Sequence, residues 1–338
     1  MIPRIQPPEH RPAWQEQLSR AVRSVDELLQ LLQIDPELAK IRLLQSDFPL
    51  RVPHGFIQRM AKGDSRDPLL LQVLPLARET EEVAGFIHDP LDEVDAMPTP
   101  GLLHKYQGRA LLTMTGACAI HCRYCFRRHF PYTDANPVAG HWQPAIKYLA
   151  QHPDITELIL SGGDPLTLTD TRLHTLTDQL ENLAHLRTLR IHTRLPIVLP
   201  ERIDSGLLSW INSQILKVVF VVHCNHPNEI DHSVTAALEK LAAAGVTLLN
   251  QSVLLRDVND SATTLARLSE CLFAAGVMPY YLHQMDRVKG AAHFEVGVER
   301  AREIMTRLRA TLPGYLLPRL VQEIPGMPGK MSLSLAFF

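Results

Sequence analysis

Cys118-Ala119-Ile120-His121-Cys122-Arg123-Tyr124-Cys125 places three of the five cysteines within eight residues, at C-x3-C-x2-C spacing. The other two, Cys224 and Cys271, stand alone far downstream. Thiolates are soft ligands, and three on one short loop can close around a metal centre. Structural zinc takes four ligands. A [4Fe–4S] cluster has four irons to cap, so three cysteines would leave one iron open to an exogenous ligand. Two plainer readings stand beside this one: a zinc site completed by His121 or His129, as in a zinc-binding structural protein, and three unligated thiols that share a loop by chance. A disulfide framework does not suit a large, cysteine-poor chain.

Downstream of the loop, short apolar runs alternate with helical patterns, and one such run leads into it. Strands are expected at Ala110–Thr115, Glu157–Leu160, Thr188–His192, Leu216–His223, Thr247–Leu255 and Met278–His283. Helices are expected near Trp142–Gln151, Thr169–Leu183, Ile203–Asn212, Val234–Ala244, Ala262–Ala275 and Val298–Leu308. Alternation at this length predicts an α/β fold with parallel strands and crossover helices. Six units make a partial (β/α)6 barrel, whose chemistry belongs at the C-terminal ends of the strands. Polar groups gather at those ends: the cysteine loop, Ser161-Gly162-Gly163-Asp164, His192-Thr193-Arg194, His223-Cys224-Asn225-His226, then Asn250, Gln251, Ser252 and Arg256, and last Tyr280, Tyr281, His283 and Asp286. Six such groups on one predicted rim imply a shared active site.

Residues 1–100 read as an N-terminal helical accessory region, with amphipathic helices at about Trp14–Leu32 and Pro36–Gln45 and a short one within RVPHGFIQRM. Glu79–Pro100 is acidic and contains three prolines, and reads as a linker or wrapping arm with no chemistry of its own. The barrel is assigned to 101–315 and a short C-terminal segment to 316–338. Across 338 residues, 34 Lys and Arg balance 36 Asp and Glu, so charge alone argues for neither a nucleic-acid nor a membrane partner. The N-terminal stretch lacks the apolar core of a signal peptide, and the best apolar run, ILKVVFVV, is strand-sized. The chain is expected to be soluble and cytoplasmic, where thiols stay reduced.

Taken together, LLHKY, CRYCFRRHF, LSGGDPL, RLPIVLPERI, HCNHPNE, LLNQSVLLRDVND, MPYYLHQMD and GAAHFEV resemble the lysine 2,3-aminomutase family of radical S-adenosylmethionine (SAM) enzymes, over most of residues 100–330. The resemblance implies a radical SAM barrel in which Cys118, Cys122 and Cys125 hold one [4Fe–4S] cluster and SAM chelates the fourth iron. It also implies pyridoxal 5′-phosphate (PLP) bound through Lys330, which follows a Gly/Pro-rich loop. A lysine in such a loop can yield its Schiff base to a substrate amine. Lys105 and Arg109 match basic positions near the PLP phosphate. Gly162-Gly163 resembles the segment that lets backbone approach the SAM amino group, with Ser161 and Asp164 beside it; an ordinary strand-to-loop turn is the alternative. His223, Asn225, His226, Gln251, Ser252 and Arg256 are expected to line the SAM and PLP cavity. Arg127 matches the arginine for the substrate carboxylate, to which a guanidinium is a natural bidentate partner. Asp286 and Glu323 match two acids for the distant ammonium of lysine; two carboxylates in one pocket imply a cation between them.

The implied reaction converts (S)-α-lysine to (R)-β-lysine through a 5′-deoxyadenosyl radical acting on a PLP–lysine aldimine, with an electron donor such as flavodoxin or ferredoxin. An aminomutase for another amino acid is the nearest alternative. Two departures from the longer members are expected. The chain stops at Phe338 without their cysteine-bearing extension, and Glu323 stands where they have aspartate. Both features resemble short bacterial homologues that make β-lysine for attachment to elongation factor P, implying a functional link to its lysine ligase.

Overall fold

The computed structural model describes residues 12–37, 39, 43, 48–135 and 142–333. Among these residues nine strands form one sheet in simple sequential order. They are β1 (Leu102–Tyr106), β2 (Arg109–Thr113), β3 (Glu157–Ser161), β4 (Thr188–Thr193), β5 (Lys217–His223), β6 (Thr247–Leu254), β7 (Met278–Gln284), β8 (Arg319–Gln322) and β9 (Met331–Ser332). β2 through β8 run parallel, while β1 and β9 lie antiparallel on the two outer edges, so the sheet curls without closing.

The six expected parallel strands are present, and three further strands were missed. β8 adds a seventh parallel strand beside β7, and β9 returns along it. This pair positions the C-terminal segment: Glu323 leaves the end of β8 at the active rim, and Lys330 immediately precedes β9. Both side chains are thereby carried on one hairpin loop fastened to the barrel.

The six helices expected downstream of the cysteine loop form, each within a few residues, at Gln143–Gln151, Asp170–Leu180, Ser205–Asn212, His232–Ala243, Ala262–Ala274 and Val298–Thr311. Several begin at side-chain caps: Asp204 accepts from the Leu207 amide at 2.9 Å, Asp231 from Val234 at 2.9 Å and Ser261 from Thr264 at 3.1 Å. Such caps satisfy amides that the first helical turn leaves unpaired. The apolar faces of these helices and the sheet share one continuous core, which also takes in Trp14, Leu28, Phe56 and Leu69 from the N-terminal region.

The helix expected over Trp14–Leu32 is two, Ala13–Ser19 and Val25–Leu31. Between them Val22 pairs as a β-bridge with Val52, and Ser24 caps the second helix. Val22 is fully buried, so the apolar spacing that continues a helical period is satisfied by a bridge instead. Most of the expected helix Pro36–Gln45 lies outside the described residues. The short helix near residue 54 is His54–Ile57.

Candidate active site

The C-terminal ends of the parallel strands surround a cavity of about 400 Å³. Cys118, Cys122 and Cys125 all line it. Their loop is anchored underneath: the Gly163 amide donates to Thr115 O at 2.6 Å and the Asp164 amide to Ala117 O at 2.7 Å. These contacts supply a reason for the glycine pair that differs from the expected one. A Cβ on Gly163 would lie 2.2 Å from Ala117 O, and one on Gly162 would lie 2.8 Å from Thr115 O, at a backbone φ of +116°. Glycine is therefore required by the cysteine loop packed on it, whatever approaches from the cavity.

Burial raises the Cys118 thiol well above its usual range and the Cys125 thiol to about 11, in both cases reinforced by neighbouring thiols. Thiols in this setting ionise when a cation takes them as ligands. Among the described residues no set of three His, Cys, Asp or Glu side chains is drawn together to hold a metal ion. His121 does not face the thiols: it is stacked on Phe48, and its Nδ1 meets Pro49 O at 2.8 Å. His129 Nε2 meets Lys289 O at 3.1 Å. Neither completes a zinc set here. The three soft donors on one loop, with no fourth ligand gathered beside them among the described residues, suit a cluster that keeps one iron open.

Beyond the cysteines, charged side chains alternate in sign across the cavity. Arg127 donates from Nε and Nη2 to the two carboxylate oxygens of Glu93, at 2.6 and 2.8 Å, and from Nη1 to Ser161 Oγ at 3.1 Å. Lys105 Nζ lies 3.6 Å from Glu93 and 3.1 Å from Glu323, and Lys330 Nζ is 2.7 Å from the other Glu323 oxygen. Burial opposes ionisation of Glu323, but Lys330 and then Lys105 outweigh it and hold the carboxyl at about 2. Asp286 makes no ion pair among the described residues: burial, with Glu323 nearby, outweighs the opposing Lys330 and raises it to about 7. Arg109 also lines the cavity, with its guanidinium 4.6 Å from the Tyr106 ring and no carboxylate partner among the described residues.

Lys105 was expected beside a phosphate, and here its ammonium is engaged by carboxylates. Arg127 was expected to offer its whole fork to a substrate, and Glu93 already takes one edge of it. Glu93 belongs to the arm that was assigned no chemistry. The turn carrying it is fixed by Asp89, whose carboxylate accepts from the Glu93 and Val94 amides, both at 3.1 Å. The arm is also tied to the rim by the pairing of Ile87 with Val288.

Four expected lining residues lie elsewhere, among them His226, whose Nδ1 accepts from the Asn228 amide at 3.2 Å. Side chains alternate faces along a strand, so Gln251 and Val253 of β6 face the cavity while Asn250 and Ser252 point outward toward the helix Ala262–Ala274. Ser252 Oγ donates to Cys224 O at 2.6 Å. Asn225 is buried behind the rim, its amide nitrogen 2.7 Å from Tyr124 Oη. Arg256 is exposed. Asp164 does border the cavity, but its carboxylate is spent on Thr193 Oγ1 and the Arg194 amide, each at 2.7 Å. His223 faces the cavity beside Tyr124, 2.9 Å from its hydroxyl; burial, then Arg194, lower its pKa to about 3, so it is neutral.

No family model matches the chain. It is 52% identical to L-lysine 2,3-aminomutase of Escherichia coli, over 96% of this chain and 95% of that protein. The chain belongs to the lysine 2,3-aminomutase family. It is accordingly an isomerase, as the cysteine loop and rim motifs led us to expect. L-lysine 2,3-aminomutase of Clostridium subterminale is 34% identical, over 94% of this chain and 76% of that protein. Among solved structures, a radical SAM methyltransferase from Sphaerobacter thermophilus superposes with a TM-score of 0.47 at 15% identity, covering 65% of this chain and 68% of that one. No helix among the described residues is long and apolar enough to cross a membrane.

Proposed function

We propose that the chain is a lysine 2,3-aminomutase, moving the α-amino group of (S)-α-lysine to C3 to give (R)-β-lysine. The observation that carries the reading is the order of charges along the cavity. The Arg127 guanidinium follows the cysteine loop, and contacts through Glu93 and Lys105 lead from it to Glu323 and Lys330, with Asp286 on the same cavity. That order suits an amino acid with a carboxylate at one end and an ammonium at the other.

In this reading Cys118, Cys122 and Cys125 would hold a [4Fe–4S] cluster together with SAM, and Lys330 would carry PLP. When bound, the cluster and SAM would supply the radical chemistry at C3, and PLP would supply the π-system that nitrogen migration needs. The chain's own work is positioning. Arg127 orients the substrate carboxylate through the edge that Glu93 leaves free. Asp286 and Glu323 receive the distal ammonium. Lys330 and that ammonium compete for the same Glu323 oxygen, so a lysine engaged elsewhere leaves the carboxylate free for substrate. The walls formed by Tyr280, Tyr281, His192 and His283 shield the reacting carbons from water. Burial, then Arg190 for His192 and Lys330 for His283, hold both imidazoles neutral.

Similarity to the short bacterial enzymes supports a role in supplying β-lysine to elongation factor P, with a flavodoxin or ferredoxin as electron source. The test is anaerobic incubation of reconstituted protein with SAM, PLP, reductant and a panel of amino acids. β-Lysine as the main product supports the reading. No β-amino acid from protein loaded with cluster and PLP overturns it, and faster turnover of ornithine or glutamate reassigns the substrate. A colourless protein with stoichiometric zinc removes the radical chemistry altogether. Lys330→Ala should lose the borohydride-reducible PLP adduct.

A further inference from the structure

Arg194, directly after β4, is buried at 6% exposure. Its Nη1 donates to Cys122 Sγ at 2.7 Å and to Tyr124 Oη at 2.8 Å, and its Nη2 donates to Gln72 Oε1 at 2.7 Å and Glu229 Oε2 at 2.9 Å. Glu229 is itself fully buried and is held by the Asn225 and His226 amides, both at 3.0 Å. The Arg194 backbone amide is pinned to Asp164. The guanidinium therefore has no freedom to turn away from the sulfur. An ion pair this deep is costly to desolvate, and Arg194 with Glu229 alone would be a poor means of stabilising a barrel. The Cys122 contact, to one sulfur of the C-x3-C-x2-C loop, gives the arrangement another purpose.

We propose that Arg194 sets the reduction potential of the iron–sulfur cluster by donating a charge-assisted hydrogen bond to the Cys122 thiolate. The inference rests on the cluster assignment above. The cluster accepts one electron from an external low-potential reductant, and the guanidinium neither gives nor takes a proton. Reduction adds negative charge to the cluster and its sulfur ligands, so a fixed cation on one ligand favours the reduced form and raises the potential. Hydrogen bonds to the sulfurs are among the recognised determinants of cluster potential. Arg194 is thus a positioning residue for electron entry.

The test is an EPR-monitored redox titration of the anaerobic holoenzyme, with iron and sulfide content measured alongside. R194Q should retain its cluster but show a roughly tenfold lower ratio of reduced to oxidised cluster at a given poise, a midpoint lower by about 59 mV for one electron. R194K, which keeps the charge and loses the fork, should fall between R194Q and wild type. R194Q leaves Glu229 without a counter-ion, so the double variant R194Q/E229Q removes both charges together and should also titrate below wild type. In wild-type enzyme carrying 15N-guanidinium arginine, ENDOR of the reduced cluster should show a 15N coupling that R194K lacks. Loaded R194Q or R194Q/E229Q with an unchanged midpoint, or no 15N coupling, overturns the proposal. Wild-type protein that assembles no cluster overturns the cluster assignment itself, a separate outcome.

Discussion

Glu93 grips Arg127 along one whole edge of the guanidinium, oxygen to nitrogen at 2.6 and 2.8 Å, with both side chains buried. Burial opposes the charge on Arg127, and Glu93 more than restores it, raising the pKa above its usual value. Glu93 thus fixes the plane of the fork and leaves Nη1 to face Ser161 and the cavity. On this arrangement Glu93→Gln should lower kcat/KM for lysine by about tenfold or more, since a hydrogen bond between charged groups contributes about 1.5–3 kcal/mol. Most of the loss should fall on KM. A lower KM in the variant would instead mean that Glu93 competes with the substrate carboxylate.

Asp286 makes a second prediction, in pH dependence. Its carboxyl, raised by burial and Glu323 to about 7, is largely protonated below that value, and only the ionised form attracts an ammonium. Lysine binding should therefore tighten as pH rises through about 7. Ionisation of the substrate amine adds a limb at higher pH, so the diagnostic is the comparison with Asp286→Asn. The variant should bind lysine more weakly and lose the limb near 7 while retaining the higher one. A wild-type profile that the substitution leaves unchanged would remove Asp286 from the ammonium site.

What the sequence discloses follows the length scale of each signal. The parallel strands are apolar runs buried on both faces, as in Val218–Val222, and such runs stand out against their flanks. β8 is four residues and β9 two, too short for any period to show, and they exist because β7 offers an edge. Glu93 is invisible for a related reason. Its partner lies 34 residues away, and nothing local separates it from the other acids of the arm. Asn225, Ser252 and Arg256 were placed in the cavity by nearness to strand ends. Period-two alternation, available from the sequence, would have put Ser252 on the opposite face from Gln251. Lys330 and Glu323 were singled out by resemblance alone, whereas the hairpin that brings them together rests on tertiary pairing.

The glycines around the site separate by what surrounds them. Gly163→Ala places a Cβ against Ala117 O at 2.2 Å, backbone against backbone, so the cysteine loop must shift. Reconstituted protein should then hold markedly less iron and sulfide than wild type. Gly329, next to Lys330, has open space around its Cβ position and does not need a positive φ. Gly329→Ala should therefore load cluster and PLP as wild type does. Equal iron content in the two variants would show that the cysteine loop tolerates displacement.

Glu79 supports the same loop from behind. Its carboxylate accepts from Arg123 Nε at 2.9 Å and from Arg128 Nη2 at 2.7 Å, and both arginines belong to the segment that carries Cys122 and Cys125. Arg123 is fully buried. Removing one partner of a buried ion pair strands the other charge, at a cost of about 3–5 kcal/mol. Glu79→Ala should lower the urea midpoint of unfolding accordingly. The exposed pair of Glu82 with Lys289, 3.4 Å apart, is the control. Glu82→Ala should change stability by no more than the roughly 0–1 kcal/mol of surface ion pairs. If the two substitutions cost the same, the acidic stretch from Glu79 is a solvated arm and not a brace for the cysteine loop.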